Sequence, residues 1–311
     1  MGKNEQPKKK EKEKGKKKEG GKKKPPSPSQ PSVKSMPAAV TTAAAPSATA
    51  ESTQPAEPEK AVPSPAERIR RAAGMAKRVE AYIRERVHGQ PEAVRALGRL
   101  AYQVGLNEPR KRPLLATFLG PPAVGKSMAA FAFADAIKTL VLDDPKAGAT
   151  EYVDAQRYAG SRGDDLWGSY GRLTKTVSKH PRSVVIVDEM EKGSTDFLMS
   201  WLQVLGNGFV LAGMSSVDFS RSVILLTTNL GHEAYRQAGG GPHTVDLWDL
   251  LSEAKRPHEE KQYWSGPALP RELVSRMSQG EGVMFSALQG QHRARIVLDA
   301  LVGGGSDGEQ R

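Results

Sequence analysis

Beyond residue 113 the chain carries short strand-like runs, most of them apolar: Leu114–Leu119, Glu151–Asp154, Ser183–Asp188, Ser222–Thr228 and, less clearly, Gly282–Leu288. Runs of this length suit strands buried on both faces. Helical spacing fills the intervals. Ser64-Pro65-Ala66-Glu67 joins an N-capping Ser, Pro at the first helical position and Glu at the third, which predicts a helix start. Its apolar stripe is Ile69, Ala72, Ala76, Val79 and Ile83, and it ends near Val87-His88-Gly89. A second helix is expected from Pro91 to Gly105. Strands alternating with helices predict an α/β fold, with a parallel sheet of about five strands covered on both faces.

Other stretches pattern weakly. Residues 232–266 read as an insert in which Val245, Leu247, Leu250 and Leu251 suit a short amphipathic helix. Trp248 and Trp264 within it either pack or mark a partner surface. No internal repeat is present.

Charge changes the picture at one end only. Of the formal +11, residues 1–63 hold 14 Lys, no Arg and 7 Glu, while the other 248 residues hold 32 basic and 28 acidic side chains. Residues 1–63 are Lys/Glu-rich and then Pro-, Ser-, Ala- and Thr-rich, too poor in large apolar side chains to offset chain entropy, so disorder is expected. The tail is either a solubilising extension or an electrostatic arm for nucleic acid, anionic lipid or an acidic partner. No run approaches 18 apolar residues, so no membrane-spanning helix is expected, and the start has neither a secretory core nor the Arg-rich character of a transit peptide. A cytoplasmic location follows as the expectation. The absence of cysteine excludes disulfides, thiolate catalysis and Cys-ligated zinc, and the six His show no metal-binding spacing.

The chemistry begins at Gly120-Pro121-Pro122-Ala123-Val124-Gly125-Lys126-Ser127, a GxxxxGK[ST] phosphate loop. It follows the strand LLATFL and opens a helix, MAAFAFADAIKTL, with Phe131, Ala134, Ile137 and Leu140 at helical spacing. Glycines let backbone N–H groups turn inward around phosphate oxygens, and the helix N-terminus adds favourable potential. Lys126 is expected to reach the β- and γ-phosphates and Ser127 to ligate Mg²⁺. The run Val184–Val187 ends in Asp188-Glu189 and delivers two carboxylates to the sheet's C-terminal edge. Asp188 is expected to hold Mg²⁺, directly or through water, and Glu189 to orient and deprotonate the attacking water. The run SVILLTTNL ends in Thr227-Thr228-Asn229, whose amide would position the water or contact the γ-phosphate. Together these describe a nucleoside triphosphatase.

Residues 188–231, DEMEKGSTDFLMSWLQVLGNG…VDFSRSVILLTTNLG, resemble the second ATPase module of the Clp-type AAA+ unfoldases and disaggregases, the ClpA/ClpB chaperones. The resemblance extends over roughly residues 78–300. It implies a three-layer P-loop NTPase core over residues 64–302, flanked by the tail and a flexible end at 303–311, with ATP and Mg²⁺ as ligands. It further implies a homo-oligomeric ring or a hetero-oligomer with another AAA+ subunit, and a role in remodelling a protein client. Val87 and His88, in Val-His-Gly-Gln, match the box that packs against adenine. Arg276, in Pro-Arg-Glu-Leu-Val-Ser-Arg, matches the arginine finger that acts across a subunit boundary; its alternative is an ordinary surface Arg. Two departures are expected to matter. Asp164 stands where the family's substrate-gripping aromatic would be, with Trp167 and Tyr170 nearby as substitutes, and after Arg276 only 35 residues remain, too few for the helical lid. These departures leave two alternatives open: a nucleotide-switched scaffold that does not translocate, and a nucleic-acid-associated loader using the basic tail.

Overall fold

Five strands form the centre of the molecule: β1 (Leu114–Leu119), β2 (Thr150–Asp154), β3 (Val184–Asp188), β6 (Val223–Thr228) and β7 (Glu281–Met284). They lie all parallel in the order β2-β3-β6-β1-β7. The computed structural model describes residues 64–142, 146, 148–233, 246–254 and 268–303, all within one unit, Lys60–Arg311. The expected tail at 1–63, Val245, Trp264 and residues 304–311 lie outside the described residues.

The central strands read as continuous apolar runs because successive side chains serve two different cores. Ala116 and Phe118 of β1, Val184 and Ile186 of β3, and Val223 and Leu225 of β6 pack on one side. There they meet helices α1 (Pro65–Arg84), α2 (Pro91–Leu106) and α3 (Lys126–Ala136) through Val79, Ile83, Leu97 and Phe133. Leu115, Leu119, Val185, Val187, Ile224 and Leu226 face the other side. That face is covered by α4 (Arg172–Lys179), α5 (Thr195–Ser200), α6 (Leu202–Asn207), α7 (Leu247–Glu253) and α8 (Arg271–Met277). A small antiparallel hairpin, β4 (Phe209–Ala212) with β5 (Ser215–Asp218), completes it; nothing in the sequence pattern had indicated this pair. A final helix, α9 (Gly290–Gly303), follows β7 and leaves Ile296, Val297, Leu298 and Leu301 exposed. The fold is a three-layer α/β sandwich.

The start of α1 is a capping box: the Ser64 hydroxyl accepts from the Glu67 N–H, the Glu67 carboxylate accepts from the Ser64 N–H, and Pro65 opens the helix. Its buried stripe is Ala72, Met75, Ala76, Val79 and Ile83. Ile69 is 53% exposed, contrary to the expected stripe. The last turn of α2 meets α1 at Ala72, where a side chain on Gly105 would stand 3.2 Å from the Ala72 Cα, so Ile69 lies beyond the end of its partner helix. A second difference is in α3. Phe133, not Phe131, enters the core, with Ala129, Ala130, Ala134 and Ile137. Ala and Phe make this helix apolar on nearly every side, so spacing alone does not select its inner face. Leu247 and Trp248 of α7 pack partly against the second core and Leu251 is fully buried, so Trp248 packs.

Candidate functional site

The carboxyl ends of β1, β3 and β6 are neighbours in the sheet, and the predicted chemistry converges there. A cleft of about 280 Å³ is lined by Pro122, Ala123, Gly125, Lys126, Ser127, Met128, Asp188, Glu189, Thr227 and Asn229.

The loop after β1 reaches its shape through three positive φ angles, at Gly120 (151°), Ala123 (58°) and Gly125 (97°). Gly120 has a further reason to lack a side chain, since a Cβ there would sit 2.5 Å from the Phe285 carbonyl oxygen. Gly125 caps α3, and Lys126 opens it. Lys126 is 7% exposed, and its ammonium donates to Gly120 O at 2.8 Å, Pro121 O at 2.7 Å and Asn229 Oδ1 at 2.7 Å. Burial pulls its pKa down to about 8, against the attraction of Glu191, Asp188 and Glu189. The side chain is thus charged near neutral pH and held at the floor of the loop.

Ser127 donates to both carboxylate oxygens of Asp188, at 2.9 and 3.0 Å. Thr227 Oγ1 donates to Asp188 Oδ1, and the Tyr152 hydroxyl donates to Oδ2 at 3.1 Å. Burial and the adjacent Asp188 push the Tyr152 phenol up to about 12. Glu189 adopts a left-handed backbone (φ 53°), and its N–H is satisfied by Thr227 Oγ1 at 2.9 Å. Strain of this kind persists only where surrounding contacts impose it. The Glu189 carboxylate pairs with Lys192 at 2.6 Å and accepts from Asn229 Nδ2 at 3.3 Å. The same carboxylate raises the Lys192 pKa. Glu191 is buried and accepts from the Asn229 backbone N–H at 3.0 Å and from Nδ2 at 3.1 Å.

Phosphate loop, Asp188, Glu189 and Asn229 are therefore brought together, and the Asn229 amide touches both Lys126 and Glu189. Val87 is buried beside the loop, 4.0 Å from where a Gly125 side chain would begin, and His88 pairs with Asp299 of α9 at 2.7 Å. Both stand outside the cleft lining. Arg276 is also apart from the cleft: it lies on α8 against α6, with its Nε 3.4 Å from the Cβ position of Gly206. The three residues considered for the loop after β2, Asp164, Trp167 and Tyr170, separate clearly. Trp167 is turned inward, edge-on to Trp201 at 5.0 Å and donating to Ser200 Oγ at 3.0 Å, whereas Tyr170 is 88% exposed and Asp164 is exposed.

Four side chains of the site were not foreseen. Thr227 was legible, lying two residues before Asn229 on the same strand face. Glu191 and Lys192 sit in a short 3₁₀ turn after the carboxylate pair, and their inward direction depends on its geometry. Tyr152 depends on strand register, which no local pattern reports.

The donor set suits a hard divalent cation carried in with phosphate: a hydroxyl and a carboxylate, both oxygen, about 3 Å apart. Among the described residues no group of three or more His, Asp or Glu could hold a metal unaided. Among them, too, no helix is long and apolar enough to cross a membrane.

A buried parallel sheet, a phosphate loop at the mouth of the inner strand β1 and paired acids on the next-but-one strand define a nucleotide-binding P-loop module of the AAA+ class. The chain belongs to the AAA domain family (Cdc48 subfamily), whose model matches residues 113–279, and it is a Clp-type AAA+ ATPase module. It is 32% identical over 198 residues to the chaperone protein ClpB of Agrobacterium fabrum, covering 60% of this chain and 22% of that protein. It is 34% identical over 174 residues to the chloroplastic chaperone protein ClpC4 of Oryza sativa subsp. japonica, covering 52% and 19%. Against the ClpB of Yersinia enterocolitica the identity is 28% over 226 residues, 70% and 25% of the two chains. The matched part spans about a fifth to a quarter of these relatives' length.

Proposed function

We propose that this module binds ATP with Mg²⁺ and hydrolyses it to ADP and phosphate, driving the remodelling of a protein client in the cytoplasm. It would act as a ring of like subunits or beside another AAA+ subunit. The observation that carries the reading is the Asn229 amide, which accepts from Lys126 and donates to Glu189 in one cleft. In this reading Lys126 holds the β- and γ-phosphates, and Ser127 and Asp188 hold the cation. When bound, the cation offsets charge on the phosphate oxygens. Glu189 orients a water toward the γ-phosphorus and takes its proton as the new P–O bond forms and the bond to the ADP oxygen breaks. Asn229 fixes Glu189 relative to the phosphate. Val87 and His88 border the adenine, and Arg276 serves a neighbouring subunit's γ-phosphate.

Phosphate release, measured with Mg²⁺ across a protein concentration series, tests this. Lys126→Ala is expected to lower both nucleotide affinity and turnover, and Glu189→Gln to lower turnover by about 10²-fold or more while nucleotide still binds. A wild-type rate no higher than either variant's would end the enzyme reading.

A second reading, a nucleotide-switched scaffold without translocation, is favoured by the inward Trp167 and by Asp164 in the loop. Nucleotide-dependent assembly without unfolding of a tagged substrate would support it. Unfolding that is lost in Tyr170→Ala would favour threading.

A further inference from the structure

We propose that Tyr152 is a positioning residue for Asp188, fixing the carboxylate for the divalent cation that accompanies the nucleotide. This rests on the Mg²⁺–ATP reading above.

The strand register makes the contact possible. Tyr152 pairs with Ile186 across the β2–β3 ladder, and Asp188 lies two residues farther along β3 on the same face. A diagonal neighbour of this kind is within reach of an aromatic side chain and out of reach of a short one. Tyr152 uses that reach to place its hydroxyl 3.1 Å from Asp188 Oδ2. Phe131 of α3 holds the ring from outside, with centroids 5.3 Å apart at 34°. This contact also gives Phe131 a purpose, since it is 43% exposed and contributes nothing to the core.

Three hydroxyls serve the Asp188 carboxylate, and they are not equivalent. Ser127 bonds to both oxygens, Thr227 to Oδ1 and Tyr152 to Oδ2. Ser127 is the one that the cation reading assigns as a metal ligand, its lone pair toward the cation while its proton stays with the carboxylate. Thr227 and Tyr152 anchor the carboxylate from groups that do not ligate the cation, one on each oxygen. Without the Tyr152 hydroxyl Oδ2 keeps only the bond shared with Ser127, and the carboxylate pivots more freely about Oδ1. Groups that hold a metal ligand from behind in this way commonly affect cation affinity by about 10- to 100-fold. Tyr152 is 39% exposed, which places its effect at the lower end.

Binding of a fluorescent ATP analogue to the full chain, titrated in EDTA and again across a Mg²⁺ series, tests the assignment. Tyr152→Phe removes one oxygen and keeps the ring. It is expected to raise the Mg²⁺ concentration for half-maximal enhancement about tenfold, leaving affinity in EDTA within about twofold of wild type. Phe131→Ala is expected to shift the same midpoint in the same direction by about threefold. A Tyr152→Phe midpoint equal to wild type overturns the assignment. So does an equal loss of affinity with and without Mg²⁺, which would mark a general structural role. Failure of the wild-type chain to bind the analogue under either condition would overturn the Mg²⁺–ATP reading as well, a different result from either of these.

Discussion

At the carboxyl ends of β1, β3 and β6 the functional side chains stand on strands buried from both faces, whereas α9 touches the body through a few polar groups and turns four large apolar side chains to solvent. Phe118 lies directly beneath the phosphate loop, fully buried, with the Phe285 ring 5.2 Å away. The link toward α9 is instead a polar clip. Buried Gln90 donates to Val124 O at 3.2 Å and to Ser286 O at 2.8 Å, and accepts from the Ser286 N–H at 3.0 Å. Beyond it His88 meets Asp299 across a partly exposed pair. Dense apolar burial fixes positions to the tolerance that phosphate chemistry requires, and sparse polar contacts let an element open at low free-energy cost. One molecule uses both arrangements within a few residues of each other.

The contrast can be broken at graded points. Phe118→Ala should cost the most, about 3–5 kcal/mol by urea denaturation, because its site is enclosed on all sides. Gln90→Ala should cost about 1–3 kcal/mol, chiefly by stranding the Val124 and Ser286 backbone groups. The double substitution Leu298→Ala, Leu301→Ala should change stability by less than about 0.5 kcal/mol, as surface positions do. A core-sized loss at α9, or one that grows with protein concentration, would show that these side chains are buried in an assembly and would dissolve the contrast.

The same division decided what could be read in advance. The strand runs ending at Leu119, Asp188 and Thr228 are strands of the structure to within a residue, because a strand covered on both faces must be apolar throughout and ends where the chain meets solvent; the run ending at Asp154 is also a strand to within a residue, but it lies at the sheet edge with only Val153 buried. The phosphate loop was legible because its backbone geometry demands glycine at Gly120 and Gly125. Where two solutions satisfy the pattern equally, the pattern was silent. Phe131 and Phe133 are chemically alike and two positions apart, and only the approach of β2 and the sheet sorts them. The β4–β5 hairpin was hidden because Phe209, Leu211 and Met214 are exposed, giving no clear alternation. Expected β7 residues beyond Met284 leave the sheet after Phe285, whose N–H makes a 2.7 Å bond to Leu119 O. That exit reflects the Gln90 clip, set by a residue almost 200 positions earlier.

The Asn229 side chain has a consequence of another kind. Its oxygen is committed to the Lys126 ammonium and its nitrogen to Glu189 and Glu191, so one planar group is shared between a cation and two anions. Any ligand that draws the ammonium away alters the field in which Glu189 sits. Thermodynamic reciprocity then requires that whatever changes the charge or partner of Glu189 alters affinity for that ligand by the same factor. Ground-state affinity and the state of the base are two readings of a single equilibrium, and a Glu189→Gln variant made to arrest turnover will not in general report the affinity of the native protein.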